Sequence, residues 1–211
     1  MVSVDETSNT GTRKKLLFYT LEAYQIYEDK EARPAQEVSL SGFLEEFRAF
    51  PQVDEVLTIY FDESIKCVEN KQRLAPSILV GCLSELLVLR LLEAVGDYLE
   101  DPNAVSNFKE KRRDIQRQLD YTREMARKGR EKLEQTTTLS QPQRRTFTEF
   151  NNILEQVFNS IRLRRNECVH PSPNMTLDEL PSEEVVRAHV TSFNPFAKVI
   201  LGLINIFKET A

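Results

Sequence analysis

The stretch from Ala75 to Glu100 constrains the fold more than any other part of the chain. Wound as a helix it is apolar on nearly every side, with Val80, Leu83, Leu87, Leu91 and Val95 on one stripe and Leu79, Leu86 and Leu89 on others. A helix without a polar face has to be covered by other elements, so it belongs at the centre of a bundle. Pro76 fits the first helical turn. Glu85 and Arg90 interrupt the run, which leaves it short of a clean membrane span.

The rest of the sequence reads as helices that cover this one. Glycine is scarce, at six, and most prolines fall between periodic segments. Lys14 to Lys30 predicts a first amphipathic helix through Leu17, Leu21, Tyr24 and Tyr27, and Leu40 to Phe50 a short second one. Val53 to Asn70 predicts a third, with Val56, Ile59, Tyr60, Ser64 and Cys67 on its stripe. Asp101-Pro102 reads as an N-cap followed by a proline at the first helical position. Residues 103–135 are densely charged with sparse apolar positions (Phe108, Ile115, Leu119, Met125, Leu133), as in one long solvated helix or two hinged near Gly129. Phe147, Phe150, Leu154, Val157, Phe158 and Ile161 set a strong stripe from Phe147 to Arg164. After a proline-marked loop, Ser182 caps a final helix with Glu183 and Glu184 in its first turn and a bend at Pro195. No strand alternation or internal repeat competes. The expectation is an all-α helical bundle, with residues 1–51 as an N-terminal tail and helical extension and residues 52–211 as the main domain.

Composition narrows the function classes. The net charge is −5, yet Lys109 to Arg165 holds fifteen Lys and Arg against eight Asp and Glu, a local +7 that leaves −12 for the rest. A basic segment in an acidic protein suits local polyanion contact. Because Glu110, Asp114, Asp120, Glu124 and Glu131 are interleaved, a charge-mixed solvated helix is the default reading of Lys109 to Lys132. Cys67, Cys82 and Cys168 form no Cys-x-x-Cys pair, so neither a zinc site nor a disulfide framework is expected. Met1 to Thr12 lacks the apolar core of a signal peptide, and a cytoplasmic protein with no membrane association is expected. No glycine-rich phosphate loop or nucleophile elbow is present, and no cofactor or metal is expected.

What remains is the neighbourhood of His170, one of two histidines. It follows an amphipathic helix and precedes Pro171, which disfavours helical backbone at residue 170 and ends the helix there. Arg165 stands five residues earlier. On a regular helix that offset separates two side chains by about 140°, so their convergence needs the helix to end or distort between them. Arg165-Asn166-x-x-x-His170-Pro171 resembles the Arg-x4-to-6-His signature of HEPN domains, in its Arg-Asn…His-Pro form. The order of a "DESIKCVEN" helix, a buried apolar helix, a helix ending in the motif and a last amphipathic helix agrees with that family over roughly Gln52 to Phe207.

The resemblance implies a HEPN-like module acting as a metal-independent endoribonuclease or RNA-binding protein in a defence, stress or toxin setting. It implies a homodimer, with an antitoxin or regulatory protein as a further partner. In that reading His170 is the general base or acid, imidazole being the side chain that titrates near neutrality. Arg165 holds the scissile phosphate, and Asn166 orients the histidine or the phosphate. Arg162, Arg164, Arg144 and Arg145 supply phosphate contacts, and Glu85 pairs with Arg165 or Arg90 to orient the site. Ser172 stands where many HEPN toxins carry a modifiable tyrosine, which argues against that form of silencing. The competing expectation is a non-catalytic interaction module, in which Arg165 and His170 only cap a helix end and Cys168 is a packed thiol.

Overall fold

The computed structural model describes residues 40–111, 115–170, 176 and 180–210. The first amphipathic helix expected from sequence, Lys14 to Lys30, lies outside these residues. Every regular element among the described residues is helical, so the all-α expectation holds. In order they are α1 (Leu40–Arg48), α2 (Glu55–Glu69), α3 (Ala75–Leu99), α4 (Ala104–Glu110), α5 (Ile115–Thr136), α6 (Gln141–Ile153), a π turn (Leu154–Phe158), α7 (Asn159–Val169) and α8 (Glu183–Thr210).

The all-round apolar helix is central, as its composition demands. α3 packs against α2, α4, α5, α7 and α8, and Val80, Leu83, Leu87, Val88, Leu91, Leu92 and Val95 are fully buried. Its main partner α8 presents Val190, Phe193, Phe196, Ile200, Leu203 and Phe207, also buried. α8 is long and apolar enough to cross a membrane by length and composition, but 67% of its most apolar window is buried inside the bundle. That is the pattern of a core helix in a soluble protein. The helix is unbroken across Pro195.

Local sequence sets the boundaries. Asp54 caps α2, its Oδ1 accepting from the Leu57 N–H at 2.9 Å. Ser140 and Gln143 form a capping box at the start of α6. Ser182 accepts from the Val185 N–H at 3.3 Å at the start of α8, as expected. Asp101 is not an N-cap. Its side chain accepts from the Asn103 N–H at 3.0 Å in a turn that precedes α4, and Asn103 takes the cap position.

Two further expectations are corrected. On α2 the buried stripe is Leu57, Phe61, Ser64 and Ile65, while Val56 and Ile59 are 49% and 51% exposed. Both stripes have helical spacing, and the large Phe61 ring decides between them by packing 5.1 Å from both Phe47 and Phe193. The charged region is two helices, but they part after α4 and not at Gly129. Gly129 lies inside α5, at a position that needs glycine because a Cβ there would sit 2.6 Å from the Phe207 ring. Phe108, Leu119, Met125 and Leu133, the sparse apolar positions of that region, are all buried.

α6, the π turn and α7 form one continuous helix. Phe150, Leu154 and Phe158 follow each other at two spacings of four, which drift by about 80° on a regular α-helix. The wider π turn takes up the drift, keeps Leu154 and Phe158 buried, and stacks Phe158 on Phe196 at 5.8 Å.

Candidate functional site

The motif occupies the last turns of α7, which runs antiparallel to α3. Three residues of α3, one turn apart, meet three positions of α7: Ser77 beside Cys168, Gly81 beside Arg165, and Glu85 beside Arg165 and Arg162. Small residues in an otherwise large-residue helix let the backbones approach. At Gly81 a Cβ would lie only 2.5 Å from the Arg165 Cβ.

Arg165 is held from two directions. Its Nη1 donates to Glu85 Oε2 at 2.9 Å, and its Nε and Nη2 both donate to Asn166 Oδ1, at 3.3 and 3.0 Å. A guanidinium has five N–H donors. Three are used here, which leaves one N–H on each of Nη1 and Nη2 of a side chain that is 23% exposed. Glu85 therefore pairs with Arg165, one of the two partners expected for it. Arg90 pairs instead with Asp54 at 2.7 Å. The second Glu85 oxygen lies 3.5 Å from Arg162 Nε, an ion-pair distance rather than a hydrogen bond.

α7 ends where Pro171 predicts. His170 leaves the helix at φ −123° and ψ 68°, its N–H donating to the Asn166 carbonyl at 2.8 Å, and the residue is exposed. Arg164 is next to the cluster but paired with Glu167 at 2.9 Å. Arg144 and Arg145 are elsewhere. They begin the same continuous helix, about 30 Å from Arg165 at 1.5 Å per residue, where Arg144 donates to the Leu139 carbonyl and Arg145 pairs with Glu149. The expected contacts thus divide into Arg162 and Arg164 near the motif and Arg144 and Arg145 apart from it.

The charged face of α5 neutralises itself. Arg123 pairs with Asp120 and Glu155, Arg127 with Glu124 and Glu131, Lys128 with Glu124, Arg130 with Glu134, and Lys132 with Glu100. Exposed pairs of this kind contribute little stability. They do remove the unbalanced positive charge that a polyanion-binding arm needs, so the solvated-helix reading fits this geometry.

Beneath the motif lies a buried polar group that sequence reasoning did not find. His189 of α8 is 4% exposed, and its Nδ1 stands 3.2 Å from Ser77 Oγ. Its Nε2 is buried without a hydrogen-bond partner. Burial, with the positive Arg164 nearby, drives the His189 pKa down from 6.5 to about 3. Cys168 lies beside Ser77, and burial pushes its thiol pKa up, so Cys168 sits as a packed thiol. Gln118 of α5 is a second unforeseen member, 3% exposed and bonded to Arg162.

Among the described residues no group of three His, Cys, Asp or Glu is placed to hold a metal ion. Two small clefts, of about 170 Å³ and 90 Å³, are not lined by motif residues. Both are below the few hundred Å³ of a small-molecule pocket. No protein-family model, curated protein or solved structure matches the chain.

Proposed function

We propose that this protein is a HEPN-like metal-independent endoribonuclease or RNA-binding protein, with Arg165, Asn166 and His170 at its centre. The observation that carries the reading is Arg165, fixed by Glu85 and Asn166 yet with two of its five N–H donors unspent. A fixed guanidinium with a free end is suited to a phosphodiester, because it neutralises developing charge without first having to be ordered. His170, at the exposed helix end, takes the proton from a ribose 2′-OH or returns one to the leaving 5′-oxygen. Attack of the 2′-oxygen on phosphorus breaks the bond to the 5′-oxygen and leaves a 2′,3′-cyclic phosphate. The need for a 2′-OH confines the reaction to RNA. Arg162 and Arg164 add contacts that strengthen binding without reading sequence. The resemblance also supports a homodimer and a setting in defence, stress or toxin action.

The test is single-turnover cleavage of a mixed RNA pool in EDTA by wild type and by His170→Ala, both shown to be folded and equally oligomeric. Cleavage by wild type alone, with cyclic phosphate ends, is expected. Cleavage by neither protein supports the second reading, a non-catalytic interaction module. The exposed Val56 and Ile59 of α2 are the observation that favours that reading.

A further inference from the structure

Resting on the phosphate-binding reading above, we infer that Leu74, Ile78 and Val169 form an apolar shelf beside Arg165 that takes a nucleobase of single-stranded RNA. The shelf follows from the register of α3 on α7. Ser77 meets Cys168, Gly81 meets Arg165, and Glu85 meets Arg165 and Arg162. Leu74 precedes Ile78, Gly81 and Glu85 by four, seven and eleven residues, spacings that return to one face of a helix. Its backbone is already helical, and its carbonyl accepts from the Ile78 N–H at 3.2 Å. On α7, Val169 follows Arg165 by four residues and Arg162 by seven, so it shares their face. Both helices therefore carry an apolar residue beyond their charged groups, at the end where α7 stops.

Leu74 and Val169 are 36% and 46% exposed, and Ile78 is half-buried. Single exposed apolar residues are ordinary, but two on packed helices beside a fixed guanidinium make a patch of defined chemistry. It suits a ligand with an anion at one end and a flat apolar face about one helical turn (5.4 Å) away. A nucleotide is such a ligand. The two unspent N–H donors of Arg165 hold its phosphate, and the base lies on Leu74 and Val169, out of water. Arg73, the residue before Leu74, is exposed and adds positive charge at the far end. A base inside a duplex has both faces stacked, so the shelf selects single strands. Leucine and valine side chains offer no hydrogen bond to a base edge, so it takes any base.

The experiment compares two fluorescent oligomers of equal length by anisotropy: a single-stranded RNA, and a ribose-phosphate strand whose nucleotides are all abasic. The full-length proteins are wild type, Arg165→Ala, and the double variant Leu74→Ser with Val169→Ser, whose two positions are exposed enough to accept a hydroxyl. Wild type is expected to bind the RNA about fivefold tighter, the low end for a base on a side-chain platform because leucine and valine carry no π face. The double variant is expected to bind both oligomers equally, at the wild-type affinity for the abasic one. Arg165→Ala is expected to lower both affinities, and to lower the slope of log affinity against log salt by about 0.7. Equal wild-type affinity for the two oligomers, or a double variant that keeps the preference, overturns the shelf. The reduced slope of Arg165→Ala then leaves the phosphate reading standing. A double variant that loses binding to phosphatidylserine vesicles, with its RNA preference intact, assigns the shelf to a lipid surface and likewise overturns the inference. An unchanged slope in Arg165→Ala, or a wild type without RNA affinity at about 50 mM salt, overturns the phosphate reading and the shelf with it. If the double variant does not fold, Val169→Ser replaces it, and an undiminished base preference in that variant overturns the shelf.

Discussion

Gly81→Ala places the fold and the site in direct conflict, and its sign follows from the contact geometry. In a helix interior, glycine to alanine gains about 1 kcal/mol of propensity. At Gly81 the added Cβ meets the Arg165 Cβ at 2.5 Å and its Cγ and Cδ at 2.7 Å. Carbon atoms pack at about 3.5–4 Å, so α3 and α7 have to part by about 1 Å. No rotamer relieves the clash, because the Arg165 Cβ is fixed to its backbone. Forcing a methyl into a packed interface costs about 1–3 kcal/mol. Separating the helices also stretches the Arg165–Glu85 bond at 2.9 Å, a partly exposed pair worth about 1 kcal/mol. The costs exceed the propensity gain, and a net loss of about 1–2 kcal/mol is expected. For a domain of this size that lowers Tm by roughly 3–6 °C. Thermal and urea denaturation followed by circular dichroism measure it. A variant as stable as wild type, or more so, would mean that α7 slides freely on α3 and that the close approach does not hold Arg165 in place.

The same substitution at Gly202 in α8 is expected to go the other way. Its Cβ would meet only the Thr146 Cγ2, at 3.4 Å, so most of the propensity gain survives and stability rises by about 0.5–1 kcal/mol; a lower urea midpoint would contradict this. His189 sets a pH dependence. Its folded pKa, about 3, lies below the ordinary 6.5, so on acidification the unfolded chain takes the proton first. The contribution is whole above pH 6.5, shrinks as pH falls below it and is lost as pH reaches about 3. Between pH 7 and pH 5 that amounts to about 2 kcal/mol, read as the difference between the urea stabilities of wild type and His189→Gln at the two pH values. Equal declines in both proteins would assign the acid sensitivity to other groups.

The legible part of this fold is the part fixed by burial. An all-round apolar helix had to be central, and α3 is. Phe108, Leu119, Met125 and Leu133 were sparse enough that each had to face inward, and each does. Legibility fails where two patterns satisfy the same periodicity. On α2 the stripe of Val56 and Ile59 is as helical as that of Leu57 and Phe61, and only the rings of Phe47 and Phe193, brought there from distant segments, settle which is inside. Gly129 looked like a hinge because its role depends on Phe207, some eighty residues away.

The candidate site divides along the same line. Arg165, Asn166, His170 and the proline that ends α7 are local in sequence, and their order alone marks them. Glu85 was visible as a carboxylate in a helix with no polar face, where an unpaired charge is costly. Ser77 and Gly81 were visible too, because residues 77, 81 and 85 are small, small and acidic at one-turn spacing in a helix rich in Leu and Val. Such a stripe marks a close helix–helix approach that ends on a charged partner. Gln118 and His189 offered no such mark. Gln118 lies between arginines and glutamines on a charged helix, and nothing in its neighbours distinguishes it from Gln116, which is exposed. His189 is one polar residue in an amphipathic helix, and its burial follows from the register of α8 against Ser77. Both are defined by tertiary contacts alone. The residues proposed to touch a phosphate are therefore the ones a sequence reveals, whereas the buried polar groups packed against them, Gln118 and His189, emerge only once α3, α5, α7 and α8 are packed together.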